Sequence, residues 1–512
     1  MERRTRILSC MLLLAAVMVI PLSTTDVAMA DQPVTITFWW TEGTIEGALY
    51  EELIADFEAQ HPNIDVVDVQ KGYFDQPAEW EDAVLAGEEP DVMRADVTWI
   101  TSWAYQGALE PLDDYEWTDR NDFTDESMEK CMWGEKIYGI PQVVDALGMW
   151  YNKHVFEAAG VTAKEEGFTW DEFIEAGRKL NAWTPDYPVD AIEFYPFNLQ
   201  GFTYAFLPIM YGFGAHYFKE NWIVLENIDI NTPEMIQAME FLKSILPSGS
   251  NAMTPPVDEQ GWGNINPYFD QGKVAMMFMG PWGIAGSFSA GAMFVPSAYE
   301  ALYGGTAPDW VSEDNLGFMR VPTDGKPGHQ GIHSGGHAYV VSSGSENKDE
   351  AFLLADFLSN PESCYKRAKV NRLVSPRKST FTSDFDLTDD FVPADDPVLS
   401  GFRLNLETGI TRPVHPYWIP LDNLFAPELE QFRLLEYATA QQTIDVIETR
   451  WKNFFQLNPR IGPPVTTTPV TTVITTAITT VVNELLLVVP VGLGLSVVSV
   501  LIAIHRKHTK QK

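Results

Sequence analysis

The chain has 512 residues, 45% of them hydrophobic and 12% aromatic, with 16 tryptophans; that is apolar material for about two or three domains and excludes disorder over most of its length. Its 71 acidic against 34 basic residues give a formal charge of −37, which repels phosphate backbones and argues against nucleic acid as a partner. Three cysteines are too few for a disulfide-built scaffold or a cysteine-rich metal cluster, so the fold rests on its core.

At the N-terminus, Arg3, Arg4 and Arg6 precede an apolar run from Ile7 to Leu22 and the triplet Ala28, Met29, Ala30, the layout of a secretory signal over 1–30. Val34–Trp40 alternates as a strand, Ile45–Gln60 carries Leu49, Leu53, Ile54 and Phe57 at helical spacing, and Ile64–Val69 returns as a strand. This is a βαβ unit. Short strands are expected at Ile137–Ile140, Lys273–Met279 and Ala338–Val341, and helices at Trp170–Leu180, Pro233–Leu246, Asn347–Leu358 and Phe425–Phe455. Helices alternating with strands imply α/β layering. No Pro/Gly linker divides the ectodomain, so two lobes would be interwoven.

Thr466–Thr480 holds nine Thr in fifteen residues, within a Thr/Pro-rich segment, 461–482, that cannot bury a core and reads as an extended stalk. Leu485–Ile504 has no charge over 20 residues, enough for a helix to cross about 30 Å of hydrocarbon. Behind it, Arg506, Lys507, Lys510 and Lys512 place the tail 505–512 in the cytosol and the acidic ectodomain outside.

No phosphate-binding glycine loop, nucleophile elbow or cysteine pair with zinc spacing is present. His329, His333 and His337 are spaced by four, but Gly328, Gly331, Gly335 and Gly336 interrupt any helix there, and a loop-strand junction is expected in place of a metal site. The informative pattern is aromatic residues beside carboxylates: Trp39, Trp40 and Glu42; Asp96 with Trp99 and Trp103; Asp145 with Trp150 and Tyr151; and Trp282 in Gly280-Pro281-Trp282. Sugars need that combination, because C–H faces stack on rings while hydroxyls donate to carboxylates. Core packing is the competing reading for each tryptophan.

Motifs distributed from about Thr35 to Trp451 add a resemblance. They include Thr37-Phe-Trp-Trp40, Pro90-Asp-Val92, Gly107-Ala-Leu-Glu-Pro-Leu-Asp113, Gly134-Glu-Lys-Ile-Tyr-Gly-Ile-Pro141 and Met149-Trp-Tyr-Asn-Lys153. Phe168-Thr-Trp-Asp-Glu-Phe173, Phe269-Asp-Gln-Gly-Lys-Val-Ala-Met276, Gly280-Pro-Trp282 and Asp349-Glu-Ala-Phe352 follow in order. The chain resembles the family 1 extracellular solute-binding proteins of ABC sugar importers, of the maltose, maltodextrin and trehalose type. The resemblance implies an α/β, two-lobed fold of the type II periplasmic-binding-protein kind, closing by hinge bending at three crossings near Gln142–Ala146, Ile332–Gly336 and Leu373–Arg377. Lobe 1 would hold 31–142 and 335–372, and lobe 2 would hold 146–331 and 377–456. Cys131 and Cys364 would both lie in lobe 1, as two buried thiols or, alternatively, as a pair.

The same resemblance implies a sugar ligand, ABC permease subunits as partners, a monomer, no cofactor and no enzymatic activity. Carried over residue by residue, Glu42, Asp96 and Asp145 match hydroxyl-binding carboxylates, and Trp282 matches a stacking tryptophan. Gly335 and Gly336 match a crossing where backbone approaches ligand, and Arg377 matches a second-lobe arginine. Trp40, Trp99, Phe202 or Tyr204, and Trp418 complete the expected site, with the distal end unassigned. A surface-anchored glycoside hydrolase and a carbohydrate-binding adhesin are the alternatives.

Overall fold

The structure is a computed structural model that describes residues 33–41, 44–183, 194–199, 203–219, 227–260, 262–283, 296–309, 311–329, 331–381, 391–406, 409–434 and 439–458. The expected signal, stalk, membrane helix and tail lie outside these residues. Among the described residues no helix is long and apolar enough to cross a membrane.

The expected βαβ unit is present: β1 (Val34–Trp40) and β2 (Ile64–Gln70) are parallel, with Val34 opposite Ile64, and the helix Thr44–Gln60 connects them. On the other side of β1 lies β3 (Val92–Asp96), also parallel. The apolar stretch expected at Ile137–Ile140 is split. Gly134, at φ +64°, turns a hairpin between β4 (Met132–Trp133) and β5 (Lys136–Ile137), and a new strand, β6 (Ile140–Asp145), begins at Ile140.

From Asp145 the chain enters a second sheet. There β7 (Gly148–Asn152) lies between β10 (Leu316–Met319) and β9 (Val274–Met279), and β9 pairs in parallel with β8 (Tyr195–Asn198). Every residue of β9 is buried, which is why its sequence is a continuous apolar run. The chain then returns through β11 (His333–Val341), antiparallel to β3 and to β6 and longer at its start than the expected Ala338–Val341. The short β12 (Ile410–Thr411) pairs with the first residues of β11. Val374 bridges Val144, so three segments meet where the two sheets join.

The first sheet is covered on both faces. Leu49, Leu53 and Phe57 of the helix Thr44–Gln60 pack with Ala351, Leu354 and Ala355 of the helix Lys348–Leu358 against Phe38, Val92, Tyr339 and Val341. On the reverse face, Trp80, Ile100 and Trp103 cover Met93, Ala95, Ala338 and Val340. Strand alternation supplies these two sets. The second sheet has its own core, including Trp150, Phe173, Phe197, Phe206, Met239, Leu242 and Phe278.

The helix beginning at Trp170 opens with a capping box: the Thr169 hydroxyl accepts from the Glu172 N–H, and the Glu172 carboxylate accepts from the Thr169 N–H. The single helix expected over Phe425–Phe455 is two, Trp418–Arg433 and Ala440–Leu457, because Thr439 caps the second by accepting from the Gln442 N–H at 3.2 Å. Cys131 and Cys364 are separate buried thiols. Burial pushes the Cys131 thiol up to about 12 despite the neighbouring Lys130 charge.

Candidate functional site

A cavity of about 650 Å³ opens where the two sheets meet. Sheet register creates its floor. Asp96, the last residue of β3, stands opposite His337 of β11; two residues earlier on β11, Gly335 stands opposite Asp145, the last residue of β6. Directly opposed residues, and residues two apart on a strand, share a face. Asp96, His337 and Asp145 therefore project together, and all three line the cavity.

The two glycines are spatial requirements. A Cβ on Gly335 would fall 2.6 Å from Asp145 Oδ1 and 3.1 Å from Arg412 Nη1. Gly336 has φ +142°, and a Cβ there would meet the Val143 carbonyl oxygen at 2.3 Å. Lys130, buried beneath, donates to the Gly335 carbonyl at 2.9 Å and to Glu126 at 2.7 Å, and also bonds Ser334.

Asp96 occupies a junction. It ends β3 and caps the helix Val97–Tyr105, accepting from the Thr98 N–H at 2.8 Å and the Thr98 hydroxyl at 2.7 Å on Oδ1. Its Oδ2 accepts from the Tyr73 hydroxyl at 2.7 Å and from Arg412 Nη1 at 3.0 Å. Burial opposes ionisation here, but the Arg412 guanidinium and the Thr98 bonds hold the carboxyl well below the usual range. Arg412 follows β12 directly, its N–H bonded to the Ser334 carbonyl at 3.0 Å, and its guanidinium stands 4.9 Å from the Tyr204 ring centre.

Asp145 is supported differently. Its Oδ1 accepts from the Tyr204 hydroxyl at 3.1 Å, while His337 Nδ1 stands 3.7 Å from Oδ2. Burial pushes its carboxyl up to about 6, with the Arg412 charge opposing and Asp96 reinforcing the rise. His337 is held neutral, chiefly by burial and the Arg94 charge.

The second-lobe wall presents Thr203, Tyr204 and Trp282, and then Trp418, Ile419, Asp422 and Asn423 from the helix Trp418–Arg433. Trp282 folds over Gly280, where a Cβ would lie 2.0 Å from the indole. Tyr204 lies 6.2 Å from it, tilted 42°. Asp422, one helical turn after Trp418, is also pushed up to about 6 by burial, and among the described residues its Oδ1 accepts no hydrogen bond.

The cavity thus gathers Asp96, Trp99, Asp145, Tyr204, Trp282 and Trp418. Glu42 and Phe202 lie outside the described residues. Two expected members are corrected. Trp40 is core: strand alternation points it inward, its indole N–H donates to Asp68 at 2.9 Å, and its ring rests on Tyr50 at 5.2 Å. Trp103 and Trp150 are fully buried as well.

Arg377 is the second correction. It is wholly buried over the Phe123 ring at 3.9 Å and donates to the Thr118 and Asp119 carbonyls at 3.0 and 3.1 Å, so it braces first-lobe backbone and lines no part of the cavity. The arginines that do line the cavity are Arg94 and Arg412. Arg412, Tyr73 and Asp422 escaped sequence reasoning because each stands without a motif, and His337 was noticed only as one of three histidines spaced by four. The chain order Ile410-Thr411-Arg412-Pro413 offered only a proline-bounded segment.

The geometry provides acceptors, donors and ring faces in one enclosure, the composition that recognises a polyhydroxylated ligand. Among proteins of named function, the chain is similar to a maltotriose-binding protein of Pyrococcus abyssi (strain GE5 / Orsay), 25% identical over 388 residues, covering 74% of this chain and 73% of that one. It is also similar to a galactooligosaccharide-binding protein of Bacillus subtilis (strain 168), 24% identical over 334 residues, covering 64% and 70%. Its fold matches that of the GacH receptor of Streptomyces glaucescens GLA.O, with TM-score 0.69, 24% identity, and 82% of this chain and 98% of that one covered. A Thermus thermophilus maltotriose binding protein matches with TM-score 0.66, 19% identity, and coverage of 82% and 100%. Residues 41–363 match the family model described as bacterial extracellular solute-binding protein, and the chain belongs to that family.

Proposed function

We propose that the protein captures an extracellular oligosaccharide of the maltose, maltodextrin or trehalose class between its two lobes and delivers it to the permease of an ABC importer. The observation that carries this reading is the enclosure of Asp96, Asp145 and Arg412 with Trp99, Tyr204, Trp282 and Trp418 where the two sheets join. Carboxylates and a guanidinium take the hydroxyls while rings cover the apolar faces. The sugar-binding names of the relatives support the ligand class. Three chain segments meeting at the junction support closure by hinge bending.

Calorimetric titration of the protein with a panel of α-linked glucosides and other oligosaccharides tests this reading. Saturable binding is expected, and silence across the panel would overturn it. Product release from a labelled oligosaccharide would favour the hydrolase alternative.

In this reading 1–30 is a signal peptide, 461–482 a stalk and 485–504 a membrane helix that tethers a monomeric binding domain outside the cell. A tether raises the effective concentration of loaded binder at its permease. Deleting 461–512 should release the protein from the membrane fraction with sugar binding intact.

A further inference from the structure

Two residues of the cavity floor are fixed from behind. Arg94, two residues before Asp96 on β3, and Thr41, directly after β1, both line the cavity and are both buried. Arg94 Nη1 donates to the Thr41 hydroxyl at 2.9 Å and to its carbonyl at 3.2 Å, and Arg94 Nε donates to Gln142 Oε1 at 2.9 Å. Behind them the bonds continue. The Gln142 amide donates to the Tyr50 hydroxyl at 3.0 Å, that hydroxyl bonds the Tyr339 hydroxyl at 2.9 Å, and Arg367 Nη2 donates to Tyr339 at 2.8 Å.

The chain of bonds runs through each segment that reaches the junction of the sheets. Gln142 lies on β6, three residues before Asp145, and Tyr339 on β11, just past Gly335 and Gly336. Arg367 lies on the helix Pro361–Asn371, which leads to the bridge between Val374 and Val144. All six side chains are buried. Buried polar groups cost stability unless bonded, and apolar side chains of similar volume would stabilise a core at least as well, so stability alone does not call for this chain. What it supplies is one fixed arrangement of the elements it joins.

We propose that Gln142 is a positioning residue of the sugar site: through Arg94 it locks Thr41 and the cleft floor to the three segments at the junction, so that affinity depends on a side chain lining no part of the cavity. This deepens the sugar-binding reading and rests on it.

The test is calorimetric titration of the full-length protein and its variants with a panel of α-linked glucosides and other oligosaccharides, beside chemical denaturation. Gln142→Leu should bind the cognate sugar roughly tenfold more weakly. Gln142→Glu, which keeps an acceptor for Arg94 and offers another to the Tyr50 hydroxyl, should bind like the parent. In an Arg94→Met background Gln142→Leu should cause no further loss, because the link is already cut. Leu354→Ala, in the same lobe's core but outside the chain, should lower the unfolding midpoint without changing affinity. Should Gln142→Leu fail to fold, Tyr50→Phe carries the test, with a loss of roughly threefold expected.

Parental affinity in a folded Gln142→Leu, or in Tyr50→Phe where that variant stands in, would overturn the inference alone. So would additive losses in the double variant, failure of Gln142→Glu to restore binding, or an equal affinity loss in Leu354→Ala. A parent that binds no sugar of the panel would overturn the sugar reading itself and this inference with it.

Discussion

On the first-lobe wall of the cleft, Asp96 is completed by the protein: two groups of Thr98, the Tyr73 hydroxyl and Arg412 all donate to it. One strand away, at the crossing to the second lobe, Asp145 has Tyr204 as hydrogen-bond partner, and among the described residues Asp422 on the far wall keeps an oxygen without a bond. Burial acts on all three carboxyls, with Asp422 the half-buried one, yet Asp96 is pushed below the usual range while the other two rise to about 6. The difference shows a division of labour. Under the function proposed above, the first-lobe wall would be assembled before ligand arrives, whereas Asp145 and Asp422 would keep acceptor capacity for an entering donor.

Removing the internal counter-charge breaks the assembled wall most severely. Arg412→Ala strands Asp96 as a buried charge and should lower folding stability by about 3–5 kcal/mol, read by chemical denaturation at neutral pH. An unchanged midpoint would mean that Asp96 does not depend on Arg412. Trp282→Ala acts on the other wall. Because this indole faces the cavity, the variant should lose about 2–4 kcal/mol of sugar affinity in calorimetry while its unfolding midpoint hardly moves.

Exchanging the carboxylates sharpens the contrast. Asp145→Asn should weaken binding by about 1.5–3 kcal/mol and leave stability equal or higher, since it removes a desolvated charge. Asp96→Asn should instead destabilise the fold, because it neutralises the partner of Arg412. Denaturation of both variants side by side decides the point, and equal stability effects would erase the distinction between the walls.

The smallest expected effect is in pH. Asp145 has a folded value of about 6, above its unfolded one of about 3.9, so the folded state binds the proton more tightly. Its stabilising contribution is present in acid and declines as pH rises from about 4 through 6. The unliganded melting temperature should fall across that window, and the fall should be reduced in Asp145→Asn. Ligand hydroxyls donate to the ionised form, so affinity should rise roughly tenfold from pH 5 to 7, with proton release on binding, and then level off. Titration in two buffers of different ionisation enthalpy measures that proton.

Legibility followed the range of the physics. Alternating and helical periodicity located β1, the helix Thr44–Gln60, β2 and β9 within a residue or two, because local pattern and burial agree there. It joined the last two helices into one, since apolar spacing continues across Leu434 while the Thr439 cap carries the break. In the site, Asp96, Trp99, Asp145 and Trp282 were readable as carboxylates and rings at element ends. Trp39 and Trp40 were not separable as site or core without knowing which face of β1 each occupied. Arg377 and Arg412 are both arginines beyond β11, and only packing distinguishes the one over Phe123 from the one on Asp96.

By itself the sequence determined the α/β layering, the acidic surface, the alternation that gives the first sheet two cores, and the supply of aromatic and carboxylate residues at strand ends. These are properties of composition and of periods of 2 and 3.6 residues, which operate over a few residues of chain. The tertiary structure alone decided which carboxylate is neutralised. Asp96 and Arg412 lie 316 positions apart, and they meet because β11 pairs with β3 on one side while its first residues hold β12. Sheet register between distant segments sets that contact, and Asp145 and Asp422 both feel the charges of the pair.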